Sequence, residues 1–192
     1  MADDDDDNID DEDIDDDDSD ETDPQEVIDA LRRLRDGSEE ASLGDVLTLC
    51  FANDEYDVRL VPQEAIDAVM SKYAMDRDVA NGGMDQVAWN HGPENTRLYA
   101  RSFRAVGAIE NANLLDRLAT SLEEYYATHG DEAIHADVVQ HFHAWRKSQG
   151  GPFFGIPEPG DELAEPLIEF VLERASSLPD PDGPLPRKVT VQ

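Results

Sequence analysis

Midway along the chain stands Asn81-Gly82-Gly83-Met84-Asp85-Gln86-Val87-Ala88-Trp89-Asn90, and it limits the fold more than any other stretch. Glycine enters positive-φ conformations without steric cost, and asparagine tolerates the left-handed region better than most residues. Residues 81–83 therefore end the helix before them, with one of the three in a left-handed cap. Residues 84–89 have room for one or two helical turns before Asn90-His91-Gly92-Pro93 interrupts the chain again. Polar Asp85, Gln86 and Asn90 beside apolar Met84, Val87 and Trp89 predict a turn tied down by side-chain-to-backbone hydrogen bonds.

The segments on either side read as amphipathic helices. Asp23-Pro24-Gln25-Glu26 opens the first: Asp caps, Pro takes the first helical position, and Glu three residues after the cap closes a capping box. Val27, Ala30, Leu31 and Leu34 form its apolar stripe, and Gly37 ends it. A second helix over 42–52 buries Leu43, Val46, Leu47, Cys50 and Phe51. Residues 56–61 form a short extended piece with no visible partner. Pro62 starts a third helix with Ala65, Ile66, Val69, Met70 and Tyr73 on one face.

After Gly92-Pro93 comes a helix over 94–106, with Leu98, Ala105 and Val106 apolar. Leu114, Leu115, Leu118, Leu122, Tyr125 and Tyr126 mark the next, ended by Gly130. Asp131 caps another, with Ile134, Val138, Val139, Phe142 and Trp145 inward. A Gly/Pro loop over 148–159 carries Phe153, Phe154 and Ile156 back onto the bundle. The last helix runs over 161–178 with Leu163, Leu167, Ile168, Val171 and Leu172 apolar, and Pro166 inside it offers Glu165 as an alternative start, with Pro166 as the first residue. The expected fold is all-α: a compact bundle of seven or eight helices over 23–178. A disordered acidic arm (1–22) precedes it, and a proline-rich flexible tail (179–192) follows.

Charge decides which partners are plausible. The formal net charge is −31. Residues 1–23 hold sixteen acids and no Lys or Arg, too much like charge beside Ile9 and Ile14 to offset the entropy of ordering. Residues 24–80 carry −7, residues 81–130 only −2, and residues 131–192 carry −6. Such a chain repels nucleic acid, whose phosphates need Lys and Arg, and anionic membrane surfaces. It attracts cations and basic proteins. A salt-adapted or high-GC proteome also yields Asp-rich, Lys-poor chains, and only Lys72, Lys147 and Lys188 stand here against twelve Arg.

No pattern points to catalysis, a cofactor or a resident metal. Asp3-x-Asp5-x-Asp7 lacks the glycine and closing Glu of a calcium loop. His129, His135, His141 and His143 cluster, but no two have the i, i+4 spacing that zinc takes on a helix. Asp131/His135 and Asp137/His141 read as surface ion pairs. Glu123-Glu124 and Asp131-Glu132 read as solvated faces. Cys50 is the only cysteine and lies in an apolar run, which predicts an inert buried thiol and a reducing compartment. The N-terminus carries neither the basic region nor the apolar core of an export signal, and no apolar run approaches a membrane span. A soluble, cytoplasmic chain is expected. Arg97, Arg101 and Arg104 share one helix face and either pair with Glu94 and with acids on neighbouring helices or dock the acidic arm or an acidic ligand.

Asn81, Gly82, Gly83, Gln86 and Asn90, the aromatic Trp89, and Ala100, Ala105, Gly107 and Ala108 downstream resemble the DMP-nineteen-like family of small helical bacterial proteins. The resemblance covers residues 63–126 and departs from the family at Val87 and Ala88, where aromatics usually follow Gln. It implies an all-helical fold in which residues 81–90 are structural, and it makes a homodimer plausible. One family member is described as a DNA mimic that binds a transcriptional regulator. The expected function is thus a non-enzymatic acidic interaction protein, a DNA mimic on the nucleic-acid-binding face of a basic partner. Candidate mimic residues are Asp29, Asp36, Glu39, Glu40, Asp45, Asp54, Glu55 and Asp57. The alternative is a helical protein of another role, a small enzyme or immunity-like binder, acidic because its proteome is.

Overall fold

The computed structural model describes residues 21–82, 84–130, 135–148 and 161–189. The calcium-loop pattern, the arm up to residue 20, the Asp131 cap with Ile134, and the Phe153-Phe154-Ile156 loop lie outside the described residues. Among the described residues there are seven α-helices and no strand longer than one bridge: α1 (Pro24–Arg35), α2 (Leu43–Ala52), α3 (Gln63–Gly82), α4 (Met84–Ala105), α5 (Ile109–His129), α6 (His135–Ser148) and α7 (Asp161–Leu172). The chain is an all-α bundle.

Local chemistry sets most boundaries. Asp23 accepts the Gln25 amide and Pro24 opens α1. The reciprocal capping box forms at α2 instead, between Ser42 and Asp45. Gly37, at φ 62°, and Gly130, at φ 59°, end α1 and α5 in a region that disfavours side chains with a Cβ. Asn81 and Gly82 are both helical, and Gly83, the third residue of the expected cap, lies outside the described residues. The second interruption is explicit: Gly92 sits at φ 59°, ψ −171° and bends α4 ahead of Pro93. Thr96 Oγ donates to the Gly92 carbonyl at 2.6 Å, a side-chain bond back across the bend.

The helices pack into two joined cores. The larger takes side chains from α1, α2, α3, α7 and the adjoining parts of α4 and α5, with Leu31, Leu34, Leu49, Leu60, Met75, Leu115 and Leu167 fully enclosed. The smaller joins Ala88 of α4, Leu118, Leu122 and Tyr125 of α5, and Val138 and Phe142 of α6, flanked by Trp89 and Trp145.

Several expectations are corrected. Phe51, Met70, Tyr73 and Leu98 are about half exposed, not inward, and Ala105 is exposed. The buried seam of α3 includes Ala65, Ala68, Val69, Met75 and Asp78, and that of α4 after the bend includes Thr96, Tyr99, Ala100 and Phe103, with Val106 buried in the turn that follows. Small alanines let neighbouring helices approach closely, which turns the larger apolar side chains outward. α7 begins at Asp161, the earlier of the two expected starts, with Pro166 inside it and Leu163 buried in its first turn. It stops at Leu172, and a 3-10 turn, Ala175–Ser177, follows. The extended piece does have a partner: Tyr56 pairs antiparallel with Arg187, with Asp57 N–H donating to Pro186 O at 2.9 Å and Lys188 N–H to Glu55 O at 2.8 Å. The tail expected to be flexible runs over the bundle as a strap, with Leu178 buried and Leu185 against the core.

Candidate acidic face and its internal network

The eight candidate acids divide into two groups. Asp45 is buried, its side chain only 5 % exposed; it accepts from Ser42 N–H and Oγ–H and takes Arg33 at 2.5 to 2.9 Å. Burial alone pushes its carboxyl up, but the Arg33 guanidinium and the Ser42 donors outweigh that and hold it below the usual carboxylate range. Asp29 accepts from Gln25 and pairs with Arg32. Glu55 accepts the Thr22 amide and lies 3.3 Å from Arg187. Asp45 and Glu55 thus tie separate segments together, whereas the partners of Asp29 are on its own helix. Asp36, Glu39, Glu40, Asp54 and Asp57 are exposed, with no ion-pair partner among the described residues.

The arginine face resolves toward pairing. Arg97 grips both oxygens of Glu123 at 2.5 and 2.6 Å and reaches Thr120 and Asp116. That bond holds the Glu123 carboxyl below its ordinary value. Arg104 bonds Asp116 and Asn113. The partners are therefore on α5, one step along from the buried seam of α4. Arg101 alone of the three has no ion-pair partner among the described residues. It lines a shallow cleft of about 360 Å³ with Pro93, Glu94, Arg97, Asp116 and Glu123, a lining of mixed sign.

The signature region is structural in a different way from the expected turn. Gln86 Nε2 donates to Asn90 Oδ1 at 2.8 Å along one helix face, and Trp89 packs on the smaller core. Asn81 and Asn90 are exposed. Beside them lies a buried chain that sequence reasoning missed. Asp78 Oδ2 is 2.6 Å from His91 Nε2, and Tyr99 Oη is 2.7 Å from His91 Nδ1. With the Nε2 proton turned toward the carboxylate, Nδ1 accepts from the Tyr99 hydroxyl. The Asp78–His91 contact is close but off the ring N–H axis, so it is not an aligned hydrogen bond. Burial and the Asp78 carboxylate push the Tyr99 hydroxyl up. The available signal was the pair of polar residues flanking an Asn-Gly-Gly break. Only the packing of α3 on α4 brings them together.

The remaining candidates are accounted for locally. His141 Nε2 contacts Ser121 Oγ at 2.8 Å and Ser121 O at 2.9 Å, so it serves α5 and not the expected pair with Asp137. His129 Nδ1 donates to Tyr125 O, and its ring stacks on Tyr125 at 4.2 Å. The side chain of His135, with Asp131 and Glu132, lies outside the described residues. Among the described residues no group of three or more His, Cys, Asp or Glu is placed to hold a metal ion. Cys50 is a buried free thiol, pushed up to about 12 by burial. Among the described residues no helix is long and apolar enough to cross a membrane.

Comparison with known proteins adds one finding. A family model described as DMP19-like protein, the family named above as DMP-nineteen-like, matches residues 62–172. The match runs from the start of α3 to the end of α7, farther than the signature alone suggested, and leaves out α1, α2 and both termini. No curated protein and no solved structure matches the chain. With more than half of its length matched, and the signature in place between α3 and α4, the chain belongs to the DMP19-like protein family.

Proposed function

We propose that this protein is a non-enzymatic, cytoplasmic interaction protein whose acidic surface occupies the nucleic-acid-binding face of a basic DNA-binding protein. The observation that carries this reading is the set of five exposed carboxylates, Asp36, Glu39, Glu40, Asp54 and Asp57, that lack an ion-pair partner among the described residues. Asp36 caps the end of α1, Glu39 and Glu40 lie between α1 and α2, Asp54 lies in the 3-10 turn Asn53–Glu55 that follows α2, and Asp57 comes just after it. Duplex DNA presents a phosphate about every 1.7 Å of axis, and carboxylates replace phosphates for a basic partner only when rigid structure holds them. The acidic arm adds long-range attraction. The face lies outside the segment that matches the family, so the carboxylates are an attribute of this chain mounted on a family core.

A second reading has its own observation. Exposed carboxylates with no ion-pair partner among the described residues also stand on α3 (Glu64, Asp67), α5 (Glu110, Glu124) and α7 (Glu165, Glu169). Such scatter fits a protein of another role, acidic because its whole proteome is.

One variant separates the two. Asp36→Asn, Glu39→Gln, Glu40→Gln, Asp54→Asn and Asp57→Asn are combined in the full chain, which is used to capture proteins from the native lysate. Captured proteins are challenged with duplex DNA. The mimic reading expects a DNA-binding protein that duplex displaces and that the variant loses by about tenfold or more. If capture is indifferent to duplex, or unchanged in the variant, the mimic reading falls.

A further inference from the structure

The described residues contain six half-exposed or more exposed large apolar side chains, and three of them meet on one face. Phe51, at the end of α2, is 50 % exposed; Tyr73 and Met70 of α3 are 59 % and 48 % exposed. The Phe51 and Tyr73 rings touch edge to face, with centroids 6.3 Å apart, so the patch is continuous across two helices. Met70 lies one turn before Tyr73 on the same side of α3. Leu98, Ile109 and Val189, the other three, are on separate elements. Scattered apolar residues need no explanation, but a ring pair joined to a methionine does.

The rim has a definite charge. Asp54 follows Phe51 by three residues through helical backbone at Ala52 and Asn53. Asp67 precedes Met70 by three on α3, its carboxylate held by Gln63 Nε2 at 2.8 Å. Neither has an ion-pair partner among the described residues. Lys72, beside the patch, is neutralised by Asp76. Arg77, one turn after Tyr73, is exposed and stands at the far end. The face is thus apolar at its centre and acidic along the edge that meets the proposed mimic surface at Asp54.

We infer that this face docks an amphipathic helix of a basic protein partner, with an apolar side chain seated on Phe51, Met70 and Tyr73 and Lys or Arg set against Asp54 and Asp67. The basic character of that partner rests on the function proposed above. Half-exposed Phe, Tyr and Met offer on the order of 300 Å², whereas a stable dimer needs about 800 Å² from each copy. A second copy would also bring acids against acids. One helix with anchors at i, i+3 and i+4 matches a patch of this size and sign. Arg77 sets the direction, favouring the acidic or C-terminal end of the incoming helix.

The test uses the full chain and two labelled peptides of about 18 residues, a Leu/Lys amphipathic helix and a Gln/Lys peptide of equal charge, with affinity read by fluorescence anisotropy. The Leu/Lys peptide is expected to bind about tenfold tighter. Phe51→Ser and Tyr73→Ser, each checked by circular dichroism melting, are expected to remove that preference. Asp54→Asn with Asp67→Asn is expected to weaken binding a few-fold and flatten its salt dependence. Equal binding of the two peptides overturns the proposal, as does a preference that both serine variants retain. Sedimentation showing a dimer that Tyr73→Ser dissociates also overturns it, since the face would then join two copies. The five-carboxylate variant tests the mimic reading separately, because its readout is displacement by duplex and not discrimination between peptides.

Discussion

Asp45 is a clear case of a residue whose role its letter does not reveal. Its sequence context, an acid three residues after a serine, describes a capping partner and a surface charge equally well. Packing of α1 against α2 turns it inward to Arg33. Because its folded carboxyl is depressed below the unfolded value, its contribution is fully present above the unfolded pKa of about 3.9 and is lost as pH falls through the depressed folded value. Asp45→Asn is therefore expected to destabilise the domain at neutral pH by about 1 to 2 kcal/mol, the scale of a lost cap. It should leave stability less sensitive to acid below about pH 4, and urea melts at neutral and low pH check both. A mutant as acid-sensitive as the parent would place the carboxylate in water.

At the scale of elements, the interruptions and the buried stripes of α1, α5, α6 and α7 were legible, and the faces of α3 and α4 were legible only in part. Gly37, Gly92 and Gly130 could be read as breaks because the need for positive φ is local and only glycine meets it freely. At Gly92 the conformation, φ 59° with ψ −171°, is one that other residues adopt at a cost of about 1 to 3 kcal/mol. A Cβ there would meet nothing within 4 Å, so the penalty for Gly92→Ala is conformational. Thermal denaturation is expected to show a loss in that range, with the loss absent for Ala at an exposed helical site such as Asn95. Met70, Tyr73 and Leu98 were misplaced because each helix residue turns the side chain by about 100°. A seam of alanines, such as Ala65 and Ala68 in α3, competes on equal terms with Met70 and Tyr73 until the neighbouring helix is in place.

Over the whole molecule, the two ends of the described chain meet at one arginine. Arg187 bonds Thr22 O at 2.5 Å, lies 3.2 Å from Glu21 and 3.3 Å from Glu55, and stands over the Tyr56 ring. The root of the acidic arm and the C-terminal strap are thus fixed to the same point beside the proposed docking surfaces. Arg187→Ala is expected to speed hydrogen exchange at the Asp57 and Lys188 amides, which bond across that junction, and to leave Leu118 and Leu122 in the smaller core protected. Uniform acceleration would mean that the clasp holds the whole bundle and not only its ends. The sequence by itself determined the all-α class, the order of the helices, most of their ends and the inert thiol, because these follow from period, caps, glycines and burial within a few residues. Only the tertiary structure decided that Asp45 turns inward, that Phe51 and Tyr73 face out together, that Asp78, His91 and Tyr99 form a buried chain, and that the tail pairs with Tyr56. Each of these depends on contacts between distant segments, and a local pattern carries no record of which neighbour will arrive.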